Sequence, residues 1–462
     1  MDDHAPVDLV FPGELWDRLH RHLFRGDSDE HGAVLASGFA SSSDSARLLV
    51  RNVFLAEDGV DYVPGQHGYR MLTADFVRDR ALYCRDEHLA YLAVHNHFGR
   101  DQVEFSFDDF RSHERGYPAL RDIVGGPIVG GVVFAENAVA GDLWLADRRV
   151  PLRSAVVVEP NIARMFPSAR RRHTPSAAMY DRQARVFGDR GQELLGQLRV
   201  GIIGLGGVGS MVNEQLARLG VGSLVLVDPE TLEDTNVPRV TGSALADVDV
   251  AKVELAARTA RVANPSIEVV TLGRTIVDDD VARSLASCDA LLLAADTMQA
   301  RLVFNAVVHQ YLIPGFQIGS KITVDRATGE VGDVFSVVRP IMPSHGCLLC
   351  NGLISGDRLA EEALTESERR AQRYVDEDDV KAPSVITLNG VGASRACNEL
   401  LMRAIGLREA EHAGDFVYID ARSGNVRYEE PRKDPDCREC GSSTSSRFAR
   451  GDSVRLPTRS VP

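Results

Sequence analysis

The sequence predicts an α/β protein of two globular domains, the second a doubly wound sheet. Three observations predict this. The chain has 462 residues, enough for two or three domains at roughly 100–200 residues each. Residues 1–150 carry short alternating apolar runs (GAVLASG, RLLVRNVFL, HLAYLAVHNHF, PIVGGVVFA), with helical stretches near 73–88 and 106–116; this is the pattern of a mixed α/β unit. From residue 179 the order is helix, strand, glycine-rich turn, helix, strand, which opens a doubly wound domain.

Between these parts, residues 151–178 include PNIARMFPSARRRHTPSAA. Prolines and small polar residues read as a linker, with Arg170, Arg171 and Arg172 as a solvated tether. Residues 355–382 are strongly charged and end in VDEDDVKAP; they read as a helix and a mobile loop. Residues 442–462 (SSTSSRFARGDSVRLPTRSVP) have the composition of a disordered tail. Hydrophobic residues make up 44% and charged residues 26%, as in ordinary soluble domains. A net charge of −14 argues against nucleic-acid binding by bulk electrostatics. No run of eighteen apolar residues predicts a membrane span. The N-terminal MDDHAPVDLVFPGEL has neither a basic segment nor a long apolar one, so a secretory signal is not expected and a cytoplasmic location is.

One group of chemical residues lies at the end of an apolar run. His95 and His97 follow YLAV. Residues i and i+2 of a strand face one side, so both imidazoles can reach one metal. Ser106 opens the next helix, and Asp109 would turn inward as a third ligand. Two His and one carboxylate leave a coordination position open, as in catalytic zinc sites. Glu30, at the start of the run EHGAVLASG, is the candidate base. This order resembles the JAMM (JAB/MPN-type) metallopeptidase family: a Glu on an early strand, His-x-His, then Ser-x-x-Asp. The resemblance implies that His95, His97 and Asp109 bind catalytic zinc. It further implies that Glu30 handles the proton and Ser106 helps stabilise the oxyanion. Phe98 stands where many members have Pro.

A second group begins in LRVGIIGLGGVGS. Gly204, Gly206, Gly207 and Gly209 would let backbone amides approach phosphates at a helix N-terminus. The next strand ends in Asp228, which could bind ribose hydroxyls, so a dehydrogenase is one reading of this segment alone. Asn236, Arg239, Lys252 and Asp296 follow in order, with Arg301 five residues on. Cations and a carboxylate after strand ends suit a triphosphate with Mg²⁺ rather than a nicotinamide. The ordered set over about 179–441 resembles the ThiF/MoeB adenylating enzymes, relatives of the ubiquitin-activating enzymes. That resemblance implies ATP and Mg²⁺ at these positions. It also implies a homodimer, with Arg182 of YDRQARVFG as an arginine finger reaching the other subunit's ATP. Val240 replaces the Gln often found after that Arg.

Seven cysteines are too few, and too unevenly placed, for a disulfide scaffold. Cys347/Cys350 and Cys437/Cys440 form two C-x-x-C pairs that suit a closed structural zinc site. No Cys lies between Cys350 and Cys397, where an activating enzyme's thioester Cys would be expected. Cys397 sits in an apolar helical segment and reads as buried, and Cys84 and Cys288 as structural. The combined expectation is a bifunctional enzyme. One half adenylates the Gly-Gly carboxylate of a ubiquitin-like protein, and the other cleaves peptide or isopeptide bonds at that tail. A conjugating enzyme is a further expected partner. Two alternatives stand beside it: activation of a sulfur carrier toward a thiocarboxylate, and a non-catalytic dimeric scaffold.

Overall fold

The apolar runs of the N-terminal part become strands because each alternates buried and outward positions, and the intervening polar stretches supply caps and turns. A computed structural model describes residues 6–42, 45–65, 68–126, 128–145, 148–168, 176–325, 328–364 and 383–459. The chain divides into two units.

The first unit comprises Met1–Arg172 together with Gln310–Leu312 and Ser442–Arg455. Its elements are β1 (Val7–Phe11), α1 (Gly13–Leu23), β2 (Gly32–Ser41), β3 (Ala46–Leu55), α2 (Ala74–Asp86), β4 (Ala90–Asn96), α3 (Phe107–Val124), β5 (Val129–Ala135), β6 (Ala138–Trp144), β7 (Arg149–Val157) and β8 (Ala163–Met165). The sheet order is β1-β3-β2-β4-β5-β6-β7-β8, and β1 also pairs with β7, so the sheet closes on itself. Leu9, Phe11, Leu35, Leu48, Leu92 and Phe134 are fully buried in its main core.

The second unit comprises His173–His309, Ile313–Gly441 and Leu456–Pro462. It contains α4 (Asp181–Gln197), β9 (Arg199–Ile203), α5 (Gly207–Leu219), β10 (Ser223–Val227), α6 (Lys252–Ala263), β11 (Glu268–Leu272), α7 (Asp279–Ser284), β12 (Ala290–Leu293), α8 (Met298–Tyr311), β13 (Gly315–Val324), β14 (Val331–Ile341), α9 (Gly356–Ala363), α10 (Ile386–Ala404), β15 (Phe416–Asp420) and β16 (Val426–Glu429). Strand order is β11-β10-β9-β12-β13-β14-β15-β16. β11, β10, β9, β12 and β13 run parallel, and β14 to β16 continue antiparallel. The order reverses between β9 and β12. Ligands of such sheets bind in the crevice outside the carboxyl ends at this switch point.

Three expectations need correction. The expected linker at 151–178 begins inside β7, whose Val7↔Leu152 and Phe11↔Val157 pairings tie it to β1. Pro160, Pro167 and Pro175 suggested a break, yet the apolar run SAVVV before Pro160 pairs as a strand over Ser154–Val157. Arg170, Arg171 and Arg172 lie outside the described residues. The helix expected to end near 116 runs on to Val124. Gly116 and Pro118 lie within it, and the chain stays helical until Gly125 caps it at φ +59°.

The expected disordered tail is ordered over its described part. Ala449 is fully buried, and Ser446 and Leu456 nearly so. Polar composition misled because this segment's backbone groups find protein partners rather than water. Thr458 and Arg459 bond Asp279 and Asp278 at the start of α7. Of the charged stretch 355–382, α9 is described and 365–382 lies outside the described residues. Among the described residues no helix is long and apolar enough to cross a membrane.

Candidate metal and nucleotide sites

β4 ends in His95-Asn96, and strand alternation separates their side chains. His95 and His97 point one way while Asn96, buried, turns the other. His95 Nε2 and His97 Nε2 lie 3.1 Å apart. Asp109 reaches both, with Oδ1 3.4 Å from His95 Nε2 and Oδ2 3.3 Å from His97 Nε2. A tetrahedral ion with bonds of about 2.0–2.1 Å places neighbouring ligand atoms about 3.3 Å apart, so these three donors fit a zinc-sized cation. His97 Nδ1 lies 3.0 Å from the Glu104 carbonyl oxygen. Donation there leaves Nε2 as a lone pair aimed at the cluster, the tautomer a metal requires.

Asp109 is placed by helix capping. Ser106 is the N-cap of α3 and Asp109 its third residue. The Ser106 Oγ accepts from Asp109 N at 3.2 Å, and Asp109 Oδ2 accepts from Ser106 N at 2.8 Å. Ser106 Oγ also donates to Asp109 Oδ2 at 2.7 Å. The Ser-x-x-Asp spacing therefore builds the helix start and delivers one carboxylate to two imidazoles. Burial opposes ionisation of Asp109, but His95 and His97 outweigh it and hold the carboxyl far below its usual range. The hydrogen bond to Asp109 raises His97.

Glu30 precedes β2 by two residues, just short of the strand expected to carry it. Its Oε1 lies 3.9 Å from His97 Nε2, and burial pushes its carboxyl up, the direction a general base needs. Three features escaped the sequence reading. Asn96 Oδ1 accepts from His31 N at 2.7 Å, which pins the backbone beside Glu30. The Phe105 ring lies against both His95 and His113, with centroids 6.1 Å and 5.0 Å away. Tyr69 lies in the field of Asp109 and Glu30. Only Asn96 had a signal, its place between the two His.

In the second unit the glycine turn follows β9. Gly204 has φ +89°, and a Cβ there would sit 2.6 Å from Ala295 N beyond β12. The ends of β9 and β12 therefore touch at the switch point, with Gly207 opening α5 and exposed Asp296 just past β12. Arg239 Cδ would lie 3.4 Å from a Cβ on Gly207. Gly209 carries no Cβ because one would collide with the Gly204 carbonyl. Asp228 is buried; its carboxylate accepts from Leu205 N at 2.6 Å and Glu230 N at 2.9 Å. It holds the glycine turn in shape, and burial pushes its carboxyl up. Lys252, the first residue of α6, is buried with its ammonium on Glu230. Asn236 is buried in the same loop as Arg239, and its carbonyl accepts from Arg239 N at 2.9 Å. The glycines, Asp228, Arg239, Lys252 and Asp296 thus gather outside the strands' carboxyl ends.

Arg182 does not join them. Its neighbour Gln183 donates to the Leu219 carbonyl at 2.9 Å, at the end of α5 remote from Gly207. A helix of this length spans about 20 Å. The sequence reading also missed Glu362 of α9, whose carboxylate accepts from Met298 N at 2.8 Å and Gln299 N at 2.9 Å. It braces the chain just after Asp296 from 64 residues away, a separation that no local pattern reveals.

The two C-x-x-C pairs converge. Cys347 Sγ lies 3.6 Å from Cys350 Sγ and 3.7 Å from Cys437 Sγ, and Cys350 Sγ lies 3.5 Å from Cys440 Sγ. Four thiolates on a tetrahedral zinc at about 2.3 Å would stand about 3.8 Å apart, so this set also fits the ion. Cys397 and Cys84 are buried as expected, and burial pushes each thiol up to about 12. Cys288 is fully buried.

The second unit is therefore a doubly wound domain with its candidate residues at the topological switch point. Residues 180–439 match the ThiF family, and the chain belongs to it. It is 30% identical over 264 residues to the molybdopterin-synthase adenylyltransferase of Escherichia coli, covering 57% of this chain and 95% of that one. It is 30% identical over 165 residues to the sulfur carrier protein ThiS adenylyltransferase of Bacillus subtilis, covering 35% of this chain and 47% of that protein. It is 31% identical over 178 residues to ubiquitin-like modifier-activating enzyme 5 of Drosophila ananassae, covering 36% and 43%. The crystal structure of E. coli MccB with ATP shares 20% identity, 58% of this chain and 75% of that one, at a TM-score of 0.45.

Proposed function

We propose that the second unit adenylates the C-terminal carboxylate of a small ubiquitin-like or sulfur-carrier protein. The observation that carries this reading is the glycine turn at the β9/β12 switch point with Asp296 beside it. The relatives named as adenylyltransferases for molybdopterin synthase and ThiS, and as an activating enzyme for ubiquitin-like modifiers, point the same way. The amides of the glycine turn and the α5 N-terminus would receive phosphate oxygens of ATP. Arg239 and Lys252 would neutralise charge developing on the phosphates. Asp296 would hold Mg²⁺. The carrier's carboxylate oxygen attacks the α-phosphorus, the bond to the β-phosphate's bridging oxygen breaks, and pyrophosphate leaves. Arg182, remote from its own chain's site, would serve the partner's site in a homodimer. Carrier-dependent exchange of labelled pyrophosphate into ATP tests this step.

We further propose that the first unit is a JAMM-type metallopeptidase acting at the carrier's tail, on precursors or on conjugates. A zinc ion held by His95, His97 and Asp109 would polarise the scissile carbonyl and lower the pKa of a bound water toward about 7. Glu30 would take that water's proton and pass it to the leaving nitrogen. Ser106 Oγ, which donates to Asp109 Oδ2 here, would donate to the oxyanion in the reaction.

The absence of a Cys between Cys350 and Cys397, with Cys397 itself buried, favours release of the adenylate to a separate acceptor over a thioester on this chain. That observation keeps the sulfur-carrier reading beside the modifier one. The Cys347, Cys350, Cys437 and Cys440 set would hold a structural zinc. Cys437→Ser is expected to lose one metal equivalent and to lower the unfolding temperature of the second unit, as read by metal analysis and calorimetry. Full metal content and unchanged unfolding would exclude that role.

A further inference from the structure

The ordered C-terminal segment makes unusual demands on the unit that receives it. Arg51, 6% exposed, donates to four groups, all in this segment. They are the carbonyls of Ser443 at 2.7 Å, Thr444 at 3.4 Å and Phe448, and Ser446 Oγ at 3.2 Å. Arg450 reciprocates, donating to the Glu87 carbonyl at 2.7 Å and to Glu87 Oε2 at 2.6 Å at the end of α2. Gly451, at φ +55°, bridges in parallel to Phe39 of β2. Asp452 N donates to the Phe39 carbonyl at 2.8 Å, and Asp452 Oδ2 accepts from Ser41 N at 2.8 Å. Gln310 Nε2 donates to the carbonyls of Gly451 and Val454, each at 2.7 Å.

The receiving surface is shaped for this main chain. Gly38 of β2 is buried, and a Cβ there would collide with the Ala449 carbonyl oxygen and lie 2.9 Å from the Arg450 carbonyl carbon. A glycine inside a strand costs entropy and packs nothing, so it marks a close backbone approach. With the segment removed, Arg51 would lose all four acceptors, and Ser41 N and the Phe39 carbonyl would lose their partners Asp452 Oδ2 and Asp452 N.

We propose that Ser442–Arg455 is an obligatory strap of the N-terminal unit, so that this unit reaches its folded form only in a chain completed through Arg455. Residues 1–172 alone are then not an independent domain. Any activity of the N-terminal unit is withheld from nascent and truncated chains.

Native-state hydrogen exchange on the full-length protein tests this. The strap amides of Gly451 and Asp452 are expected to open together with those of β2 and β3, at the same rate and with the same denaturant dependence, as one cooperative unit. Strap amides exchanging about 100-fold faster, while β2 and β3 stay protected, would overturn the proposal. Gly38→Val supplies the second arm. Valine is a better strand former than glycine, so local propensity predicts unchanged or slower exchange in β2. The strap predicts the reverse: exchange at least about tenfold faster in β2, β3 and the strap together. Unchanged exchange, or faster exchange in the strap alone, would refute it.

Discussion

Asp296→Ala is expected to lower carrier-dependent ATP–pyrophosphate exchange by about 100- to 1,000-fold, the loss typical of removing one group that stabilises developing charge. The residue sits exposed past the end of β12, where Ala295 comes against Gly204 at the switch point. In the proposed function it would hold Mg²⁺, and its exposure gives it no part in the core. Cleavage at the carrier's tail, unfolding temperature and metal content should therefore match those of the wild type. Exchange that survives the substitution would remove Asp296 from the Mg²⁺ position and leave the adenylation reading without its carboxylate.

Glu30→Gln is expected to reduce cleavage of a carrier precursor by about 100- to 10,000-fold, the range typical of general acid–base catalysis. The zinc content of the first unit should stay unchanged. Glutamine keeps the shape and the packing against the loop that Asn96 pins through His31 N, but it cannot accept a proton. His95, His97 and Asp109 would remain to hold the ion. Loss of metal together with loss of cleavage would make Glu30 a ligand instead of a base. Full cleavage would place the base elsewhere. Adenylation by the second unit should be unaffected in either case.

Much of this site was legible in the sequence because its chemistry is local. His95 and His97 share a strand face by spacing alone, and Ser106-x-x-Asp109 encodes both a helix start and a carboxylate that reaches both imidazoles. The glycine turn lies within thirteen residues of unbroken sequence, LRVGIIGLGGVGS, and the strand ends carry Asp228 and Asp296. What escaped depends on distant pairings. Glu362 reaches the start of α8 from α9. Asn389, buried on α10, lies where a Cβ on Gly207 would strike its amide. The strap misled most, because its polar composition says nothing of partners, and its partner Arg51 lies about 400 residues earlier, with 397 separating it from Phe448. The β7 boundary failed for a smaller reason: the prolines and small polar residues from Pro160 onward looked like a linker, while pairing with β1 made the apolar run before them a strand.

One chain is expected both to trim and to activate a single carrier tail. Intact-mass spectrometry of a candidate carrier tests it most directly. The carrier should come from the same genomic neighbourhood, keep its residues beyond Gly-Gly, and be incubated with this protein, zinc and ATP-Mg²⁺. The trailing residues are expected to be lost first, followed by a mass gain equal to one adenylyl group on the trimmed form alone. Adenylate on the untrimmed carrier, or trimming that no AMP addition follows while pyrophosphate exchange proceeds with a different protein, would contradict it.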